Sequence, residues 1–262
     1  MAEPYAYVGG PRLLDGYRVR AQSWQGSLRA YLAEGTGSFV LTLVCGGSWC
    51  VEAVFGGLGV TGVALSQGLA LVALGLIFGH VSGGQFNPAL TVAMVVVRRQ
   101  APLHGLGYVL AQLAGAAAAG GALLLLFGRY DLAAAPPFLG APRLAPELTP
   151  LEGMGIEALL TFLWVSSVFA TQIDPRGKRA FAPVAAGIAL LLAVLWGGQL
   201  TGAAVNPARA FGTALGAQLW TAHHAFWIGP LLGGLAAAGF YELLLGGRPF
   251  PGSAELPGAE PS

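Results

Sequence analysis

Long apolar runs, separated by short polar segments, dominate the chain. A helix needs roughly 20 apolar residues to cross a bilayer, and six runs approach this length, near 30–50, 58–79, 103–127, 153–172, 182–200 and 224–245. Two shorter runs, 87–97 and 206–217, hold about ten residues each, so as helices they would rise about 15 Å, half of a hydrocarbon core of about 30 Å. The pattern predicts six transmembrane helices and two half-helices that enter the membrane without crossing it.

The composition supports a lipid environment and excludes an ordinary soluble enzyme. Hydrophobic residues make up 55% of the 262-residue chain and charged residues 10%, whereas soluble domains carry about 25% charged residues. The net charge is +1 and the cations are scattered, so no basic face for phosphates is expected and nucleic acid is excluded as a partner. Cys45 and Cys50 fit neither a zinc-ligand pair nor a disulfide framework. We interpret both as small, buried apolar side chains, and we expect no metal and no cofactor.

The Lys and Arg residues indicate the orientation, because loops on the cytoplasmic side carry an excess of them. Only Arg129 and Arg143 fall in outer loops if the N-terminus lies inside. The cations on the inner side are then Arg12, Arg18, Arg20, Arg29, Arg98, Arg99, Arg176, Lys178, Arg179 and Arg248. We therefore expect both termini in the cytoplasm. The preference for arginine over lysine is typical of a GC-rich genome, so the expected location is a plasma membrane of the bacterial inner type.

An internal repeat relates the two half-helices. The triplet Asn87-Pro88-Ala89 recurs as Asn206-Pro207-Ala208, and Glu34 in the first span recurs as Glu157 in the fourth at nearly the same separation. Each copy contains three full spans, an odd number, so the second copy must be inverted in the membrane. Inverted repeats place their functional site near the midplane, where broken helices meet. The predicted fold is an all-α integral membrane protein with two inverted repeats.

The repeat also predicts the division of the chain. A channel domain is expected over 29–246, with repeat 1 at about 29–127, repeat 2 at about 151–246 and a linking loop at 128–150. The Pro- and Gly-rich ends, 1–28 and 247–262, are predicted to be cytoplasmic tails, because they lack the apolar residues that a packed core requires.

Each half-helix should begin at its asparagine. Proline is favoured at the first helical position and pushes the residue before it out of the α region, so Asn87 and Asn206 are predicted N-caps. With the copies inverted, both N-termini converge at the bilayer centre, where their positive dipole ends oppose cations and protons. The non-helical runs 82–86 and 198–205 must then be buried or line a wet path. A single file of water fits this arrangement.

These motifs resemble those of the aquaporin (major intrinsic protein) family over roughly residues 28–245. The resemblance rests on the two triplets together with Ala33-Glu34-Gly35-Thr36, Gly79-His80-Val81-Ser82-Gly83, Ala111-Gln112 and the run from Asn206 to Gly212. It implies an aquaporin-like homotetramer with one pore per subunit, held in a lipid bilayer. It also implies that Glu34 and Glu157 accept hydrogen bonds from the re-entrant loops.

By this resemblance, four residues occupy the positions of the family's selectivity filter: Gln67, Val194, Ala203 and Arg209. Strictly water-selective members have Phe and His at the first two positions, so this filter looks more like the vacuolar and the ammonia- or peroxide-permeable branches. Two alternatives stay open at single residues. Gln67 either lines the constriction or packs between helices, and His80 either lines the inner vestibule or is a packed, hydrogen-bonding residue.

The function implied is a passive transmembrane water channel that excludes protons and ions, with the passage of ammonia, hydrogen peroxide and urea left open. Glycerol facilitators usually carry Asp directly after the filter arginine and a cation four residues later, where this chain has Ala210 and Ala214. These differences disfavour glycerol as the main permeant. Two alternatives to a water channel are kept: a glycerol or small-solute facilitator, and a low-conductance structural membrane protein. A secondary transporter would need a coupling-ion site, for which Glu34 and Glu157 are the candidates. An enzyme is not expected, because the sequence shows no nucleophile–base pair.

Overall fold

Helices form nearly all of the structure. The computed structural model describes residues 24–130, 138–174 and 176–245. The eight α-helices in these ranges are α1 (Trp24–Phe55), α2 (Gly59–Ser82), α3 (Pro88–Val96), α4 (Pro102–Phe127), α5 (Pro150–Val168), α6 (Ala182–Gly197), α7 (Pro207–Ala217) and α8 (Ala225–Leu245). Short 3₁₀ turns lie at Phe138–Gly140 and Arg179–Phe181, and a π-turn at Phe169–Ile173 continues α5.

The predicted fold class is confirmed. Six helices, α1, α2, α4, α5, α6 and α8, are long and apolar enough to cross a membrane, whereas α3 has 9 residues and α7 has 11. The first helix is longer than predicted, since α1 starts at Trp24 and ends at Phe55. The polar residues near its ends stay helical, because backbone hydrogen bonds continue where the apolar run stops. Most of the predicted tails, 1–28 and 247–262, lie outside the described residues, so the domain boundaries stay a prediction.

The helix contacts repeat between the two halves of the chain. Helix α1 packs on α4 as α5 packs on α8, and α2 packs on α6. The half-helices cross over: α3 packs against α8 and α7 packs against α4. Each half-helix is therefore held by the last helix of the other repeat, which is the contact pattern expected of an intertwined pair of repeats.

Glycines allow the backbones of these pairs to approach closely. A Cβ atom at Gly115 in α4 would collide with the Gly35 carbonyl of α1, and one at Gly233 in α8 would collide with the Ala158 carbonyl of α5. Gly115 with Ala119, and Gly229 with Gly233, are small residues four positions apart, a spacing that fits contacts within one bundle or between subunits. In the structure Gly115 and Gly233 serve contacts inside the bundle.

Candidate pore

Asparagine side chains begin both half-helices. Asn87 and Asn206 have extended backbones, with φ of −151° and −143°, and each is followed by proline at the first helical position. Their Oδ1 atoms accept hydrogen bonds from the backbone N–H groups of Ala89 and Ala208, at 2.9 Å in each case. The N-caps predicted from the two triplets are thus present, and they satisfy N–H groups that would otherwise be buried without a partner.

The two asparagines also link the repeats to each other. The Nδ2 of Asn87 donates to the Val205 carbonyl at 2.9 Å, and the Nδ2 of Asn206 donates to the Phe86 carbonyl at 2.8 Å. Phe86 and Val205 have φ of 49° and 54°, a left-handed conformation that residues other than Gly rarely adopt. This pair of reciprocal bonds fixes the N-termini of α3 and α7 next to one another. An amide NH₂ carries two hydrogens, so each asparagine keeps a second donor.

A buried carboxylate holds the first re-entrant loop. Glu34 in α1 accepts hydrogen bonds from the Ser82 hydroxyl at 2.6 Å, from the Phe86 N–H at 2.6 Å and from the Gln85 N–H at 2.9 Å. The side chain of Gln112 in α4 donates a fourth bond at 2.7 Å. Glu34 thereby fixes the strained backbone that precedes Asn87.

The second repeat uses the same arrangement. Glu157 in α5 accepts from the Thr201 hydroxyl at 2.6 Å, from the Val205 N–H at 2.7 Å and from the Ala204 N–H at 2.9 Å. Thr201 corresponds to Ser82, and each hydroxyl also accepts a backbone N–H two residues further along, from Ala203 and Gly84 respectively. In both repeats a buried acid and a hydroxyl support the loop whose last carbonyl receives an asparagine.

A narrow cavity lies at the meeting point of the repeats. Its lining includes both asparagines, Gln67 from α2 and Arg209 from the first turn of α7. The other lining residues are Leu41, Cys45, Leu71, Trp164, Leu190, Ala204 and Val205. Apolar walls with a few polar groups are typical of sites that bind small molecules. In such sites the few polar groups determine which molecule is bound.

Several polar atoms around this cavity have no partner within the described parts of the chain. All three nitrogens of the Arg209 guanidinium are in this state, and Arg209 is only 1% exposed. The Oε1 of Gln67 and the Nε1 of Trp164 are likewise buried and unpartnered. Buried polar groups normally form hydrogen bonds. A molecule that occupies the cavity can supply the missing partners.

The four predicted filter residues are all buried in the structure. Gln67 and Arg209 line the cavity. Val194 and Ala203 belong to the main hydrophobic core, together with the lining residues Trp164, Leu190 and Val205. Gln67 satisfies both alternatives left open by the sequence, because its Nε2 faces α1 while the residue lines the cavity. His80 is exposed at the end of α2 and is not part of the lining.

Five lining residues were not predicted: Leu41, Cys45, Leu71, Trp164 and Leu190. Cys45 is buried, as expected of a small apolar side chain, but it also lines the cavity, near enough to the Arg209 guanidinium for an electrostatic interaction. Cys50 packs in a separate apolar cluster with Leu123. Trp164 lies on α5, two helical turns beyond Glu157 and on the same face. This spacing could have predicted that Trp164 faces the interior, because Glu157 supports a buried loop and residues on the same helix face also point into the bundle.

Comparisons with known proteins agree with this geometry. The sequence model of the family described as Major intrinsic protein matches residues 20–241. The lens fiber major intrinsic protein of Gallus gallus is 42% identical over 218 residues, covering 83% of this chain and 81% of that protein. Aquaporin TIP4-4 of Zea mays is 37% identical over 246 residues, covering 88% and 94%.

A solved structure has the same fold. The aquaglyceroporin from Plasmodium falciparum matches with a TM-score of 0.74, covering 84% of this chain and 97% of that chain at 22% identity. At this identity the likeness concerns the fold alone. The family model and the relatives in Gallus gallus and Zea mays, which both extend over most of the sequence, lead to one conclusion: the chain belongs to the major intrinsic protein family.

Proposed function

We propose that the chain is a passive channel that conducts water through the cavity between its two repeats. The observation that carries this proposal is the reciprocal link between Asn87 and Asn206, beside the unpartnered guanidinium of Arg209. Membership in a channel family and the aquaporin named among the relatives support it. The family is one of channels rather than enzymes.

Electrostatics at the cavity oppose positive ions. Among the described residues, Arg209 is the one charged member of the lining, and the N-termini of α3 and α7 add the positive ends of two helix dipoles. A proton or a cation in the cavity would face these positive charges with little water around it. The channel should therefore pass neutral molecules and exclude protons and cations.

Small neutral solutes besides water form part of the proposal. Gln67 contributes a polar side chain to the lining in place of an aromatic ring, while Val194 and Ala203 occupy little space. We propose that ammonia, hydrogen peroxide and urea are candidate permeants, with Gln67, Val194, Ala203 and Arg209 as the filter. A glycerol facilitator is the second candidate function, and the same assay tests it.

The remaining expectations concern the setting of the channel. We propose a homotetramer with one pore in each subunit, in a plasma membrane of the bacterial inner type, with both termini in the cytoplasm. The apolar outer surface supports the lipid setting, since leucines such as Leu76, Leu103 and Leu125 are exposed on the long helices. His80, exposed at the end of α2, remains the candidate for the inner vestibule.

Stopped-flow light scattering on proteoliposomes tests the channel directly. An impermeant sugar should shrink vesicles that contain the protein at least about tenfold faster than protein-free vesicles, because water crosses a pore faster than a bilayer. Inward gradients of urea, glycerol and ammonia, run in parallel, measure the solute range. Shrinkage at the protein-free rate would contradict a water channel and favour a structural role. Rapid glycerol entry would favour the facilitator.

A further inference from the structure

The side-chain amide of Gln67 has a defined neighbour on α1. Its Nε2 lies 3.4 Å from the Cys45 carbonyl oxygen and 3.5 Å from the Ser48 hydroxyl, close to the outer limit for hydrogen bonds. The Ser48 hydroxyl itself donates to the Cys45 carbonyl at 3.1 Å. Two oxygen atoms of α1 thus form a small acceptor site for the NH₂ group of Gln67.

This neighbour determines which end of the amide faces the cavity. A backbone carbonyl only accepts hydrogen bonds and an amide NH₂ only donates them, so the reverse orientation would place two carbonyl oxygens against each other. With Nε2 toward α1, Oε1 is directed away from α1. Oε1 is buried and has no partner among the described residues, and Gln67 and Arg209 line the same cavity.

The cavity therefore offers an acceptor in addition to its donors. Arg209 presents three unpartnered nitrogens, all donors, while Gln67 presents one unpartnered oxygen. Ammonia has three N–H donors and one lone pair, whereas water has two donors and two lone pairs. A site that offered donors alone would leave ammonia with more unmet hydrogen bonds than water. Ammonium has no lone pair to accept from Arg209, and its charge is repelled there.

We propose that the Ser48 hydroxyl and the Cys45 carbonyl orient Gln67 so that its Oε1 accepts hydrogen bonds from solutes in the pore, and that this acceptor favours ammonia. In this arrangement Gln67 determines specificity and Ser48 is a positioning residue that acts through it. The proposal rests on the proposed function, since it requires an open pore between the repeats.

The experiment compares ammonia and water permeability in the same proteoliposomes, with a pH-sensitive dye inside the vesicles for ammonia and light scattering for water. Gln67→Leu keeps much of the side-chain volume and removes the acceptor. The ammonia-to-water permeability ratio should fall about tenfold, the effect of one net hydrogen bond. Gln67→Met, which also lacks the carbonyl, replaces it if the leucine variant does not fold.

Ser48 is tested by a loss and a rescue. Ser48→Ala should lower the same ratio about threefold, because the amide of Gln67 is then held by the Cys45 carbonyl alone, and Ser48→Thr, which restores a hydroxyl, should recover it. A merely structural role would lower both permeabilities together and leave the ratio unchanged. The matched control is Ser66→Ala on α2, since the Ser66 hydroxyl bonds only the Gly62 carbonyl of its own helix at 2.8 Å.

Two results would overturn the inference while the channel itself stands: an unchanged ratio in the Gln67 variants, or water flux in the wild-type protein without ammonia flux above that of protein-free vesicles. Absence of water flux in the wild-type protein would instead overturn the proposed function. The two failures are therefore distinguished in one set of vesicles.

Discussion

Arg209 is a buried, charged residue that lines the proposed pore. Its guanidinium is fully buried, yet its three nitrogens have no hydrogen-bond partner in the described structure. A buried charge without hydrogen-bond partners is costly, and Cys45 and Glu157 lie near enough to interact with it electrostatically. The molecule in the pore is the natural partner for these donors, which gives Arg209 a direct part in selection.

Replacing Arg209 should widen what the pore accepts. Arg209→Val removes both the charge and most of the side-chain length, so we expect urea and Na⁺ permeability to rise by about tenfold or more while water still passes. Solute entry and dye-reported ion leak in proteoliposomes measure this. Arg143→Val, at an exposed arginine of the linking loop, is the matched control. Equal urea and Na⁺ entry in the two variants would remove Arg209 from the filter.

At the scale of the element, each re-entrant loop depends on one acid of a neighbouring helix. Glu157 satisfies two backbone N–H groups and one hydroxyl of the loop before Asn206, and Glu34 satisfies the equivalent groups before Asn87. One N–H group of each pair, on Phe86 and on Val205, belongs to a residue with positive φ, which is strained for a residue other than Gly. The carboxylates therefore act as anchors for the ends of α3 and α7.

Neutralising one anchor should loosen its loop. Glu157→Gln replaces one acceptor oxygen by an NH₂ group, which leaves at least one loop N–H without a partner, and the protein should lose about 1–3 kcal/mol of stability. Thermal unfolding in detergent measures the loss, and water permeability should fall with it. Glu147→Gln makes the same chemical change at an exposed residue and should leave both unchanged. A Glu157 variant as stable as this control would refute the anchoring role.

Helix packing gives a second test at the same scale. Gly115→Ala adds a Cβ that collides with the Gly35 carbonyl, so it should destabilise the α1–α4 pair by about 1–3 kcal/mol. Gly121→Ala in the same helix has open space around the new Cβ and should be neutral or stabilising by up to about 1 kcal/mol. The thermal midpoint should fall in the Gly115 variant and stay level or rise in the Gly121 variant. Shifts of the same sign and size would mean that close approach at Gly115 is unimportant.

The helices were predictable from the sequence to different degrees. Proline and asparagine at 87–88 and 206–207 fix the starts of α3 and α7, because the chemistry of these residues acts locally. The ends of α1 were not predicted, since polar residues at a membrane surface do not stop a helix. Cys45 and Trp164 were missed as lining residues because hydrophobic periodicity identifies a buried face and does not distinguish packing against a helix from packing against a cavity.

At the scale of the whole molecule, the two sequence repeats fold into halves whose half-helices each pack against the other half. The contacts of α3 with α8 and of α7 with α4 exchange the half-helices between the two halves, and the packing of α2 on α6 also joins the halves. An ion pair between Arg99 and Glu242 at 2.9 Å joins the segment after α3 to α8, and Arg176 pairs at 2.6 Å with Asp174 in the same loop. The Arg176 guanidinium beside Asp174 holds the pKa of that carboxyl below its ordinary value.

The reciprocal asparagine bonds have a consequence for biogenesis. During synthesis the N-terminal half of a protein is made first, so Asn87 is already in place while Val205, its acceptor, has yet to be translated. The hydrogen bonds of the Asn87 amide and the Phe86 carbonyl can form only after the second repeat has entered the same membrane. The first repeat therefore reaches its final pore structure only after the second repeat has been synthesised.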